Sequence, residues 1–339
     1  MRLLFVVGDR LGWSIDDDRA RLRATARRLG VPVGWNPLLR VLRAQPVFQH
    51  NHFSALHPRW LESSQRLGLS YFHGRPATPG YPEFDRAYAA LRDNVAQVER
   101  IQVTHDEMHE LVLAAGVDER KVFRIPIGID LERFALGDDA TRSAARASLD
   151  IPESAFVVGS FQKDGVGFGD GLEPKSIKGP DVLVAVLEQI RAAELFVLLT
   201  GPARGYVRRE LERAGIPHRH VQLPRDGLAT AYHALDAYLV TSRQEGGPKS
   251  VLEALATGVP LVTTRVGQVP ELLVDGEHAL LAGVDDTEEL VGALQRVHDD
   301  AELRRRLRSD GRPLAEAYAE ERLDARWAEL LEGFAGHVD

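Results

Sequence analysis

The chain has no cysteine, two methionines, and only five lysines among its 42 basic residues. The lack of cysteine excludes disulfides, thiolate metal sites and cysteine nucleophiles. No apolar run approaches the roughly 18 residues that would cross a bilayer. Leu3-Leu4-Phe5-Val6-Val7 is broken at once by Gly8-Asp9-Arg10, so it reads as a first strand and not as a signal peptide. A strongly basic face is missing as well. Residues 1–135 hold 19 Lys/Arg and 16 Asp/Glu (net +3), and residues 136–339 hold 23 and 34 (net −11), which sums to −8. That balance argues against nucleic acid as a partner, because duplex binding draws on dense positive charge. A small anion held by a few local cations stays open. A cytoplasmic setting is compatible with this composition.

What is present is a chain of 339 residues, 44% hydrophobic and 27% charged, long enough for two domains. Short aliphatic runs alternate with amphipathic stretches, the pattern of βα units around parallel sheets. One series places strands near residues 3–7, 45–49, 69–73, 100–104 and 121–125, with helical patterns at Glu83–Val98 and His105–Ala115. A second places strands near 155–160, 195–200, 219–222, 236–241, 260–264 and 278–282. Its helices are expected to begin after Gly179, Arg204, Asp226, Pro248, Gln268 and Asp286. The expected class is α/β, with two Rossmann-like doubly wound domains. Pro126, Gly128 and Gly137 punctuate the boundary, which gives an N-terminal domain over 1–135 and a C-terminal domain over 136–312. After Gly311-Arg312-Pro313 a last helix, within 313–339, carries Leu314, Tyr318, Leu323, Trp327, Leu330 and Leu331 on one face, and is expected to return to the first domain.

The informative stretch is Thr241-Ser242-Arg243-Gln244-Glu245-Gly246-Gly247-Pro248-Lys249-Ser250-Val251-Leu252-Glu253. It follows an apolar run, so it reads as strand, glycine loop, helix. Pro248 suits the first helical position and Gly258 the residue just past the helix end. Gly246 and Gly247 let backbone approach a ligand closely, and free amides with the helix dipole favour an anion or sugar hydroxyls. Carboxylates accept hydrogen bonds from vicinal diols, so Glu245 and Glu253 could hold a hexosyl group and a ribose. Taken alone, the same residues could be a tight connection followed by a solvated glutamate.

A second loop weighs against that plainer account. Gly159-Ser160-Phe161-Gln162-Lys163 leaves another strand for a glycine-rich excursion that ends at Lys175-Ser176-Ile177-Lys178-Gly179-Pro180-Asp181. Both loops should open at the carboxyl ends of parallel strands, where doubly wound sheets bind ligands. Four of the five lysines, Lys163, Lys175, Lys178 and Lys249, fall in these two loops. A compact ammonium is suited to a diphosphate as charge builds on it during departure.

The run Glu245 to Glu253, with Ala256-Thr257-Gly258-Val259-Pro260 and Gly267-Gln268-Val269-Pro270-Glu271-Leu272 after it, resembles the paired-glutamate signature of retaining family-4 glycosyltransferases. Val122–Asp130 is similar to that family's interdomain segment, and Lys178-Gly179-Pro180-Asp181 to its lysine-glycine turn. The resemblance covers residues 100–285 and is weak over the first hundred. It implies a GT-B fold with an interdomain cleft, an acceptor-side first domain and a nucleotide-sugar donor domain second. It also implies metal-independent hexosyl transfer with retained anomeric configuration and no cofactor beyond the donor. In that reading Glu245 contacts the donor sugar and Glu253 the ribose, with Gly246, Gly247, Pro248, Lys249 and Ser250 between them at sugar hydroxyls or phosphate. Lys178, with Lys163 or Ser160 after Gly159, faces the diphosphate; the family commonly has an arginine where this chain has Ser160. Gly201 and Leu223 border the base.

For the first domain, the resemblance puts His73 beside the reacting carbon and Gly8, Asp9 and Arg10 on the acceptor side; a histidine capping a strand end is the plainer account of His73. Asp16-Asp17-Asp18 has the acid spacing of metal-dependent transferases of another fold, but acids at a helix start suit its dipole. Arg19, Arg21, Arg23, Arg27 and Arg28, and the segment 38–43, are basic and amphipathic; either is a solvated face or touches an anionic lipid surface or a lipid-linked acceptor. His50 and His52 alternate on a strand end without metal-ligand spacing, and are expected to mark the cleft. The acceptor is a small molecule, a glycan or a lipid-linked group. Rival readings are a GT-B epimerase or phosphorylase and a non-catalytic nucleotide-sugar binder.

Overall fold

The computed structural model describes residues 3–8, 14–34, 45–62, 66–167 and 169–336. Asp9, Arg10 and the basic segment 38–43 lie outside the described residues. The chain forms two compact units, residues 1–127 with 320–339, and residues 128–319.

The first unit holds β1 (Phe5–Val7), α1 (Ser14–Arg28), β2 (Pro46–Gln49), α2 (His52–Ala55), α3 (Pro58–Leu61), β3 (Arg66–Ser70), α4 (Pro82–Asp93), β4 (Val98–Val103), α5 (Asp106–Ala114) and β5 (Val122–Arg124). The strands run parallel in the order β1-β2-β3-β4-β5. Leu4 also bridges Val33, so the chain first steps to one side of β1 and then builds to the other. Order reverses at β1, whose carboxyl end carries Gly8, and such switch points are where open α/β sheets take ligands. One sheet face packs Leu67, Leu69, Ile101 and Val103 under α4 and α5. The opposite face packs Leu4, Val6 and Phe48 under Leu22 and Ala26 of α1.

The second unit holds α6 (Asp139–Ser148), β6 (Phe156–Ser160), α7 (Pro180–Gln189), β7 (Leu195–Thr200), α8 (Gly205–Ala214), β8 (His218–Val221), α9 (Leu228–His233), β9 (Ala237–Val240), α10 (Lys249–Thr257), β10 (Leu261–Thr264), α11 (Val269–Leu272), β11 (Leu280–Ala282), α12 (Thr287–Asp299) and α13 (Ala301–Ala317). Its parallel sheet runs β11-β10-β9-β6-β7-β8. Strand residues alternate between two cores. Val157, Leu198, Tyr238 and Leu261 join the cluster under α9 and α10, whereas Val158, Val197, Leu239 and Val262 join the one under α7, α8 and α12. A sheet buried on both faces accounts for the nearly continuous apolar strands seen in the sequence. Order reverses between β6 and β9, so their carboxyl ends form the switch point.

Every expected strand is present within a few residues, and the six helices of the second series begin where punctuation placed them. Three features differ from expectation. The helical pattern over Glu83–Val98 stops at Asp93, and Val98 already opens β4, where its side chain is buried in the sheet core. The chain leaves the first unit after Ile127 and not after 135, because Ile129 and Phe134 pack into the second unit's core. Gly311-Arg312-Pro313 does not start a new helix, since α13 runs through it. A Cβ on Gly311 would lie 2.7 Å from Leu255 Cδ2, so this glycine serves close contact with α10 and not a break. The chain re-enters the first unit at Glu320, and α14 (Asp324–Leu331) buries Trp327, Leu330 and Leu331 in the α1-side core.

Candidate functional site

At the switch point of the second unit, the loops that leave β6 and β9 are stapled together. Arg243 and Gln244 amides both donate to the Ile177 carbonyl, at 2.8 and 3.1 Å, and Thr241 Oγ1 donates to the Gly179 carbonyl at 2.8 Å. Gly179 has φ 60°, and a Cβ there would lie 1.9 Å from the Thr241 carbonyl oxygen. No other residue fits this crossing without displacing one loop. The staple brings Lys178 onto Glu245: Lys178 Nζ donates to Glu245 Oε1 at 2.5 Å, although 67 residues separate them. Ser242 Oγ donates to the same oxygen at 2.8 Å. Gln162 Nε2 donates to the Lys178 carbonyl at 3.0 Å, so the β6 loop is tied into the same knot.

Arg243 braces the rim. Its guanidinium reaches Asp181 at 2.7 Å and Asp285 at 2.6 Å, and donates to the Ser176 carbonyl. Those carboxylates push its pKa further up, while Asp181 is held below the usual carboxylate range by Arg243.

Glu253 sits one and a half turns into α10 and is buried. Tyr232 OH donates to Glu253 Oε2 at 2.8 Å. Tyr232 in turn packs edge-on against Phe161 at 4.8 Å, and Tyr238 OH accepts from the Phe161 amide at 3.0 Å. Burial pushes the Tyr238 phenol up to about 12 and raises that of Tyr232 further, so both stay protonated donors. Glu253 is a fixed carboxylate in an aromatic frame and not a solvated helix residue.

Of the other expected positions, Ser160 ends β6 and is buried, and Lys163 and Lys175 lie half-buried in the loop beyond it. Partial burial lowers the Lys163 pKa. Gly159 lies in β6 with its bare Cα against Leu235, whose Cδ1 would lie 2.3 Å from a Cβ, so packing also requires glycine here. Gly201 (φ 87°) directly follows β7, and its carbonyl accepts from His220 Nε2 at 2.7 Å. Leu223 is half-buried against the core beside Val221. The Gly246 carbonyl accepts from the Gln268 amide at 3.1 Å, and Gly247 follows it as half-buried loop. Pro248 is the N-cap of α10, one position before the expected first helical residue, and Lys249 and Ser250 form the first turn. The fifth lysine, Lys121, is structural: it donates to the Val95 and Val98 carbonyls.

In the first unit His73 lies three residues past β3, half-buried, with its ring 6.0 Å from Phe53, 5.7 Å from Phe84 and edge-on to His52 at 5.9 Å. His52 stacks on Tyr71, and burial lowers its pKa well below the usual imidazole value. His50 Nδ1 pairs with Ser70 Oγ at 2.9 Å, and Ser70 donates to Gln102 Oε1 at 2.6 Å. The acidic triplet starts α1, where Asp17 pairs with Arg21 at 3.1 Å. Arg21 and Arg28 also pair with Glu320 and Asp324, while Arg23 and Arg19 donate to the Val6 and Gly8 carbonyls.

Sequence reasoning missed Arg204, Asp164 and Tyr232. A basic residue directly before a helix, after Gly201-Pro202, was the signal available for Arg204, since acids and hydroxyls are usual there.

Residues 165–300 match the family model for glycosyl transferases group 1. The chain is 29% identical over 291 residues to the D-inositol 3-phosphate glycosyltransferase of Actinosynnema mirum, covering 76% of this chain and 67% of that one. It is 32% identical over 242 residues to the enzyme of the same name from Saccharomonospora viridis, covering 66% and 53%. The chain thus spans about half to two thirds of the length of these relatives. Among solved structures, Anabaena HepE in complex with UDP and glucose superposes with a TM-score of 0.77 at 15% identity, covering 98% of this chain and 99% of that one. WaaG, a glycosyltransferase involved in lipopolysaccharide biosynthesis, superposes with a TM-score of 0.73 at 15% identity over 95% and 99%. The chain therefore has the GT-B fold, two Rossmann-like α/β units, and the matching segment in its second unit supports a place among the GT-B glycosyltransferases.

Proposed function

We propose that this protein transfers a hexosyl group from a nucleotide-diphosphate sugar to a hydroxyl acceptor with retention of anomeric configuration. The observation that carries the reading is the Lys178–Glu245 contact at the β6/β9 switch point. A bound sugar diphosphate divides this pair: the ammonium turns to the phosphate, and the carboxylate accepts from sugar hydroxyls. Glu253, oriented by Tyr232, takes the ribose diol. Lys163, Lys249, Ser250 and the amides that open α10 supply further positive potential, so no metal is required.

In the reaction, the bond from the anomeric carbon to the phosphate oxygen breaks as one to the acceptor oxygen forms on the same face. The acceptor proton passes to the departing diphosphate, and neither glutamate forms a covalent bond. His73, Gly8, Asp9 and Arg10 serve the acceptor side. The relatives named for D-inositol 3-phosphate make a phosphorylated cyclitol the first acceptor to try, and HepE makes UDP-glucose the first donor. Arg19, Arg21, Arg23 and Arg28 of α1 bond within their own unit, which leaves that helix less free charge for an anionic lipid surface.

Nucleoside diphosphate release from UDP-, GDP-, ADP- and dTDP-hexoses, with and without added acceptor, tests the reading. Acceptor-dependent release with the product keeping the donor's anomeric configuration supports it. Sugar alteration without an acceptor points to an epimerase, and binding without release under any condition points to a non-catalytic binder.

A further inference from the structure

Ser160 ends β6 at the switch point and is 1% exposed. From the turn before α8, the Arg204 side chain crosses to it, 44 residues away in the chain, and is 0% exposed in its side chain. Arg204 Nη1 donates to the Ser160 carbonyl at 2.5 Å and to the Thr200 carbonyl at 3.1 Å, and Nη2 donates to Ser160 Oγ at 3.2 Å. Nη2 also pairs at 3.0 Å with Asp164 Oδ2, itself 0% exposed. One guanidinium therefore ties the ends of β6 and β7 together and holds the first residues of the glycine-rich loop.

The arrangement decides what the serine hydroxyl can do. A hydroxyl has one proton and two acceptor sites. Arg204 occupies an acceptor site of Ser160 Oγ, and no acceptor among the described residues takes its proton. A buried hydroxyl whose oxygen already accepts has its proton left to give, and buried donors are satisfied by an acceptor such as an ion or a water. Ser160 shares the strand ends that present Lys178 and Glu245. Beside the Arg204 guanidinium and the Lys178 ammonium, the acceptor that the local cations favour is an anionic oxygen.

We infer that Arg204 is a positioning residue which turns Ser160 into a hydrogen-bond donor to a phosphate oxygen of the donor's diphosphate. This inference rests on the donor-site reading above. It means that the charge which the resembled family places directly after the glycine enters here from the turn between β7 and α8 and acts through Ser160. Asp164 sets the strength of the device, because its carboxylate, 3.0 Å from Nη2, offsets the charge of the guanidinium.

The test uses the full chain and calorimetry with UDP, GDP, ADP and CDP, carrying the tightest forward with its monophosphate and its nucleoside. Ser160→Ala and Arg204→Met are each expected to weaken the diphosphate about tenfold, the size of one charge-assisted hydrogen bond, with nucleoside affinity unchanged within about twofold. Arg204→Met added to Ser160→Ala should cost little more than Ser160→Ala alone. Asp164→Asn, which keeps the side chain's size but frees the positive charge, should tighten the diphosphate relative to the nucleoside. A merely structural role moves all ligands together, and that outcome overturns the inference. So does a Ser160→Ala chain that binds the diphosphate like the wild type, or equal losses from Arg204→Met in both backgrounds. Should Arg204→Met not fold, Ser160→Ala and Asp164→Asn still decide. If the wild-type chain binds none of the four diphosphates, the donor-site reading fails first and this inference with it.

Discussion

Lys178 Nζ and Glu245 Oε1 lie 2.5 Å apart at the carboxyl ends of two strands that are neighbours in space but not in sequence. Glu245 is buried, so the pair sits in a medium where each charge holds the other strongly. Lys178→Ala and Glu245→Ala should each lower turnover by roughly 10²-fold or more. Steady-state rates beside circular dichroism check this, and wild-type-like turnover in either variant removes that residue from the mechanism.

Gly179 is where the two loops cross. Gly179→Ala puts a Cβ 1.9 Å from the Thr241 carbonyl oxygen in a left-handed backbone. The turn must shift and take Lys178 with it, so turnover should fall by at least about tenfold, because small misplacements near a reacting centre are expensive. A urea midpoint close to that of the wild type would show that the loss is local.

Tyr232→Phe removes the donor to Glu253 Oε2 and leaves a buried carboxylate with one partner fewer. Stability should fall by about 1–3 kcal/mol. Nucleoside diphosphate affinity should fall several-fold while binding of inorganic pyrophosphate stays the same, which titration calorimetry reads directly.

Arg146 of α6 is fully buried and reaches four groups: the Ala234, Glu153 and Ala155 carbonyls and, at 2.7 Å, Asp236. Asp236 also accepts from the Val157 amide at 2.7 Å, so the pair fastens α6 to β6. Arg146→Met should destabilise the second unit by about 1–3 kcal/mol, because it leaves three carbonyls without their donor while Asp236 keeps Arg142 at 2.7 Å and the Val157 amide. Urea denaturation measures it.

Glu107 in the first unit is held down to about 2, first by His105 and also by Arg75 at 2.6 Å. A depressed carboxylate stabilises the fold above its unfolded pKa and loses that stabilisation as pH falls through the folded one. The loss should therefore run from about pH 4.5 down to about pH 2. With Glu107 and Arg75 both substantially exposed, the effect should stay below about 1 kcal/mol. Thermal unfolding of Glu107→Gln should show a flatter acid limb than wild type.

Strand and helix order in both units was legible from local pattern, because apolar period and Gly/Pro punctuation report nearest neighbours along the chain. The switch-point loops were legible for the same reason, down to Gly258 ending α10 with φ 77°. Local pattern erred where a glycine served packing and not a break, as Gly311 does against Leu255. It was also silent on contacts between distant residues. Only the folded sheet puts β9 beside β6, sets Tyr232 on Glu253 and carries Arg204 to Ser160. Those contacts arise because buried donors and acceptors must find partners wherever the packed strands place them, and no run of adjacent residues encodes that distance.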